Sequence, residues 1–198
     1  MIGLAGIFLM DILRLFGFPD ATCHLIRHCL TTSTLAVLWN GERTDIFKPS
    51  RGLHQSNPLS PYLFVLYLER LSMLIQQAMA EKKWVPFLVC RNGPCILNLF
   101  FANDLLLFMK ANVKQANVVK NTIQAFCQVS SLNVSGDKSV AFCSPYVPFH
   151  VKNDIQCTTR ICFTEDLGRY LGVLLMTGRS TKCQFEYIIE KVQKRLSS

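Results

Sequence analysis

No two of the nine cysteines stand in a Cys-x-x-Cys pair. An odd, scattered set without that spacing argues against a disulfide framework and for reduced thiols in an intracellular protein. Acidic residues are scarce, 13 against 21 Lys and Arg, so the chain carries a net charge of +8. Long apolar runs are lacking too. The N-terminal stretch MIGLAGIFLM is ten residues long and runs straight into Asp11 and Arg14. It is too short to cross a bilayer and has no basic flank before it, so neither a membrane span nor a signal peptide is expected. Internal repeats, low-complexity tracts and the regular strand–helix alternation of a doubly wound sheet are also missing. Charged residues make up only 17% of the chain while half of its 198 residues are hydrophobic, which excludes a disordered protein. One domain with a sizeable core, with at most a small appendage, fits this length.

What is present reads as helices interleaved with hairpins. Apolar positions at helical spacing over 6–16 stop at Gly17-Phe18-Pro19, a glycine-then-proline helix ending, and a second helix fits 20–31. STLAVLWNGERTDIFKP reads as a hairpin turning at Asn40-Gly41. A helix over about 59–80 opens at Pro58 and Pro61 and is apolar nearly all round as far as Leu68, which predicts burial on several sides. Two strands joined at Asn92-Gly93 follow, then the run LNLFFANDLLLF at 97–108. An amphipathic helix over 112–131 carries Val119, Ile123 and Phe126 on one face. A strand over 139–143, an irregular link over 145–153, the segment LGRYLGVLL and a basic helix from about 180 complete the chain. The order predicts an α+β protein, helices packed on one face of a small antiparallel sheet.

Two features carry chemistry. Cys23, His24, His28 and Cys29 place two imidazoles one helical turn apart, but the flanking cysteines point elsewhere on the helix and zinc needs four converging ligands. In LNLFFANDLLLF both arms read as buried strand, broken by Asn103 and Asp104, which predicts a hairpin tip at that pair. Such a tip is either an ordinary turn with a solvated Asp or a carboxylate held rigidly where a divalent cation would want it. Between Lys82 and Lys138 seven Lys or Arg face two Asp, a net of +5, which bracket this tip and suit a polyanion or a merely basic surface.

RGLHQSNPLSPYLFVLYLERL (51–71), FFANDLLLF (100–108), SSLNVSGDKS (130–139) and LGRYLGVLL (167–175) resemble, in order and spacing, successive motifs of reverse transcriptases of plant non-LTR (LINE-type) retrotransposons. The resemblance implies part of a polymerase palm over 1–150. Over 151–198 it implies a connection towards a thumb, with a primer-grip-like segment and a terminal helix. It makes Asp104 the second aspartate of a Phe/Tyr-Ala-Asp-Asp tip that binds Mg2+. It assigns Gln55, Pro58, Leu59, Ser60 and Pro61 to the template and nucleotide loop, Lys138 to pyrophosphate departure, and Tyr170, Leu171 and Gly172 to the primer grip. RNA or DNA, held weakly through the basic surface, is the implied partner.

The departures from the family pattern are specific. Asn103 replaces the first tip aspartate, and His54, Ser56 and Asn57 replace the loop's arginine, glycine and aspartate. No carboxylate precedes Asp11, so the family's earlier catalytic aspartate, its strand and the fingers are expected to be missing. A tip with one carboxylate is not expected to hold Mg2+ tightly, and this chain alone is expected to be inactive. A reverse transcriptase fragment is therefore the leading reading. A non-catalytic remnant that binds nucleic acid or a protein stays open beside it, as does the unstable product of a decayed reading frame.

Overall fold

The computed structural model describes residues 4–32, 34–48, 58–88, 93–130, 132–171, 173–175 and 186–197. The chain divides by its contacts into two compact units, Met1–Val134 and Ser135–Ser198.

The first unit opens with helices α1 (Leu4–Leu15) and α2 (Asp20–Thr31). Between them Gly17 takes φ +78°, while the Phe18 N–H donates to the Leu13 carbonyl and the Gly17 N–H to that of Arg14. This glycine ending satisfies carbonyls that α1 would otherwise leave open. The ribbon β1 (Leu38–Trp39) and β2 (Glu42–Arg43) turns at Asn40-Gly41, both with positive φ, as the two-residue turn requires. Helix α3 (Ser60–Ala80) carries Pro61 in its first turn. The pairs β3 (Phe87–Leu88) with β4 (Cys95–Ile96) and β5 (Asn98–Phe101) with β6 (Asp104–Leu107) lead into α4 (Val113–Ser130).

The core lies among the helices. Leu63, Tyr67, Leu71, Ile75 and Ala78 form a stripe along α3 that meets Leu9, Ile12 and Leu13 of α1, Cys23 of α2 and Phe126 of α4. The Phe8 ring sits edge-on to Tyr67 at 5.2 Å and to Phe126 at 6.1 Å, the geometry that aromatic quadrupoles favour. The burial on several sides predicted for the first half of α3 is not observed. Tyr62 is 73% exposed and Val65 54%, because α1 and α4 cover a single stripe of the helix. The β1–β2 ribbon is also bare, with Trp39 71% exposed.

In the second unit β7 (Val140–Ala141) pairs parallel with β8 (Cys162–Phe163) across helix α5 (Phe149–Thr159). A helix therefore begins inside the stretch read as an irregular link. Pro148, at φ −58° and ψ 146°, provides its N-terminal boundary, and Ile155 is its one buried residue, so the apolar periodicity was too weak to announce it. The hairpin β9 (Arg169–Tyr170) with β10 (Val173–Leu174) and helix α6 (Glu186–Leu196) follow. The class is mixed α+β, with small sheets. The one small antiparallel sheet expected is, among the described residues, five separate two-stranded ladders, four antiparallel and one parallel. Among the described residues no helix is long and apolar enough to cross a membrane.

Leu71 is fully buried at the crossing of the helices, so Leu71→Ala should lower the unfolding free energy by about 2–5 kcal/mol. Val65→Ala, on the bare side of the same helix, should change it by less than about 0.5 kcal/mol. Urea denaturation of the two variants checks the contrast. Burial also pushes the Tyr67 phenol from 10.0 up to about 12. Between those pH values the folded chain keeps a proton that the unfolded chain releases, so stability should fall as pH rises through that window. Melting temperatures across it should decline in the parent and decline less in Tyr67→Phe.

Candidate functional site

The hairpin β5–β6 is a four-pair antiparallel ladder, Asn98↔Leu107, Leu99↔Leu106, Phe100↔Leu105 and Phe101↔Asp104. The Phe108 N–H donates to the Leu97 carbonyl at 2.8 Å and extends it by one rung. Its two loop residues are thus Ala102 and Asn103, not the Asn103–Asp104 pair that composition suggested. Asp104 is the first residue of β6, inside the ladder and exposed to solvent. The positive φ of the turn, +48°, falls on Ala102, a residue with no local preference for it.

The arms are not buried on both faces, as the apolar run implied. Phe100, Leu105 and Leu107 pack against the helical core, while Leu99 and Phe101 are exposed. This is the period-2 pattern of a half-buried ribbon. The inward face fixes the register and thereby sets Asp104 at a defined end of the ladder.

Two residues that the sequence reading passed over anchor the base of the hairpin. Trp84 is buried, and its indole N–H donates to the Phe108 carbonyl at 2.9 Å. Gln115, also buried, accepts from the Val85 N–H and donates to the Lys83 carbonyl, both at 2.8 Å. Its own backbone N–H donates to the Asn112 side chain at 2.8 Å, which caps α4. The spacing Asn112-x-x-Gln115, an N-cap residue followed three later by Gln, was the available signal. Phe87 stacks on Phe108 at 6.0 Å beside these bonds.

The other candidate residues are dispersed. Gln55, with His54, Ser56 and Asn57, lies outside the described residues, as does Gly172. Pro58 and Leu59 form the turn before α3, Ser60 is its buried first residue, and Pro61 follows. Lys138 ends a short 3-10 helix, Gly136–Lys138, in the second unit. Tyr170 pairs with Val173 on the β9–β10 hairpin, and Leu171 follows with φ +54°. In α2, Cys23 is buried and donates its thiol to the Phe18 carbonyl at 3.6 Å, whereas His24 and His28 are exposed.

Charge at the site is one-sided. Among the described residues Asp104 has no ion pair, and no group of three or more His, Cys, Asp or Glu side chains comes together. Near the base of the hairpin Glu81 accepts hydrogen bonds from Lys83 and Gln77, which hold its carboxyl below the usual range. The other ion pair, Arg14 with Asp20, is exposed.

Residues 8–175 match the sequence model of the family described as reverse transcriptase (RNA-dependent DNA polymerase). The chain is similar to an uncharacterized mitochondrial protein of Arabidopsis thaliana, 43% identical over 35% of this chain and 57% of that protein. It is similar to the retrovirus-related Pol polyprotein of a type-2 retrotransposable element of Drosophila melanogaster, 27% identical over 65% of this chain and 11% of the polyprotein. A third similarity is to the Pol polyprotein of a type-1 retrotransposable element of Popillia japonica, 26% identical over 82% of this chain and 25% of the polyprotein. The chain thus spans less than two thirds of the length of each of these relatives.

The left-handed Ala102 gives a test of the turn. Ala102→Gly relieves the clash of a Cβ at positive φ, partly offset by the greater freedom of unfolded glycine. The variant should be more stable by about 0.5–1 kcal/mol in urea denaturation. A loss of stability would mean that the loop does not hold this conformation.

Proposed function

Because the chain belongs to the reverse transcriptase (RNA-dependent DNA polymerase) family, we propose that residues 1–150 are part of a polymerase palm whose β5–β6 hairpin carries the remnant of the catalytic tip. The observation that supports this most is the register of the hairpin. Asp104 opens β6 opposite Phe101, exposed yet fixed by a ladder whose other face is packed on the core. A carboxylate so held suits work on a phosphate or a cation better than one on a loose loop. In this reading Asn103 is the first tip aspartate turned neutral. The segment of Gln55, Pro58, Leu59, Ser60 and Pro61 belongs to the template and nucleotide side, Lys138 to pyrophosphate departure, and Tyr170, Leu171 and Gly172 to the primer grip.

The family uses a divalent metal ion. The described residues of this chain do not fit a two-ion centre, for no three of their His, Cys, Asp or Glu side chains come together, at Asp104 or elsewhere. Two bridging ions stand only about 3.5–4 Å apart and need several carboxylates between them. The chain by itself therefore does not polymerise, and it does not hold Mg2+ tightly. What it retains is a weak, sequence-independent affinity for RNA and DNA, supported by the net charge of +8 and by the basic stretch from Lys82 to Lys138.

Primer extension on an RNA template, with magnesium or manganese, tests the inactive reading. Neither the parent chain nor Asn103→Asp should extend the primer above a no-enzyme control. Restoring the paired tip adds one carboxylate to a chain whose described residues bring no three His, Cys, Asp or Glu side chains together, and lacking one member of a catalytic unit costs orders of magnitude in rate. Extension by the variant would overturn the reading and make Asp11 and Asp45 the first residues to examine as the missing ligand.

A further inference from the structure

We propose that Lys82, Lys83, Lys110 and Lys114 form one docking site for the phosphodiester backbone of a single nucleic-acid strand, at the end of the β5–β6 hairpin opposite Asp104. The proposal rests on the nucleic-acid reading above and gives that affinity a location.

The lysines are distant in sequence and are brought together by the buried anchors. Gln115 holds the Lys83 carbonyl and the Val85 N–H against the first turn of α4, and Trp84 between them holds the Phe108 carbonyl. The Asn112 N–H donates to the Lys110 carbonyl at 2.8 Å, which folds the 108–112 segment back onto the same turn. Lys82, Lys83, Lys110 and Lys114 all emerge exposed from these segments. Glu81 pairs with Lys83. Among the described residues Lys82, Lys110 and Lys114 have no carboxylate partner, so the patch keeps a charge of +3.

Local stability accounts for only part of this charge. Lys82 and Lys83 lie just beyond the C-terminus of α3, where the helix dipole welcomes a cation. Lys114 does the reverse. It sits in the first turn of α4, which has no acidic residue, at the positive end of an 18-residue helix. Lys82 takes φ +57° in the helix-ending position that glycine ordinarily fills. Two of the three unpaired lysines thus break a local rule, the pattern expected where a site serves a ligand. The positive end of the α4 dipole adds to the ammonium charges, a combination suited to phosphate. Charges spread along a patch rather than converging in a cavity fit a polyanionic strand, on which phosphates repeat, better than a single ion.

The experiment measures binding of oligo-uridine and oligo-deoxythymidine strands to the full chain over a range of salt. Lys82→Gln, Lys110→Gln and Lys114→Gln combined should lower the slope of log affinity against log salt by about 2, since each phosphate contact on a single strand contributes about 0.7. Replacing the same three by Arg should keep the parent slope. A control with Lys48→Gln, Lys152→Gln and Arg195→Gln should keep it as well. RNA and DNA should behave alike, because phosphate contacts do not read the sugar. If the parent binds neither strand at low salt, the nucleic-acid reading itself falls. If the parent binds but the two Gln triples lose equal slope, or the Arg triple loses as much as its Gln counterpart, the binding stands and this site is overturned. Binding of one strand type alone would overturn recognition through the backbone.

Discussion

The buried indole of Trp84 joins the two halves of the first unit's architecture. Its ring fills the helical core, and its N–H is satisfied by the Phe108 carbonyl at the foot of the β5–β6 hairpin. A buried donor without a partner would cost the core its desolvation free energy, so the bond and the packing require each other. Gln115 does the same for the neighbouring backbone, satisfying both a carbonyl and an N–H of the 83–85 segment from a buried position on α4. The hairpin is therefore not an isolated two-stranded ribbon, which would be marginal in water. It is a ribbon clamped at one end and packed on one face.

That constraint gives the hairpin tip its meaning. The ladder places Asp104 in a strand and leaves Asn103 in the loop, so the two residues that family resemblance treats as a pair have different backbone roles here. An amide in the loop and a carboxylate in the strand cannot act as equivalent ligands. Membership of the reverse transcriptase family rests on the match over residues 8–175, which includes this ribbon. Among the described residues no three His, Cys, Asp or Glu side chains come together, at the tip or elsewhere.

The same clamp organises charge. By fixing the turn after α3 against the start of α4, it gathers lysines from three separate segments. The opposite end of the hairpin is where the lone Asp104 stands. The four-pair ladder of the hairpin separates the basic end from the acidic one.

Several elements were legible from sequence because their cause is local. Gly17 and Pro19 ended α1, Asn40-Gly41 made its turn, and Pro61 opened α3, since each residue type stabilises the backbone angle required at its own position. The apolar face of α4 followed from spacing, and the family followed from four motifs in order. Three other features depended on contacts that spacing cannot reveal. Which side of α3 is covered was decided by where α1 and α4 pack, so Tyr62 and Val65 stay bare in a run that reads as buried. The turn at Ala102 was decided by register, because a one-residue slip would set Leu105 and Leu107 on the face opposite Phe100, and an alanine gives no sign of positive φ. The roles of Trp84 and Gln115 were decided by partners 24 and 32 residues away, whose groups they satisfy in a place without water. The sequence by itself determined the family, the class, the end of α1 and the start of α3. The tertiary structure decided what Asp104 is attached to and which lysines share a surface, because hydrogen bonds and burial across long separations exist only once the chain has folded.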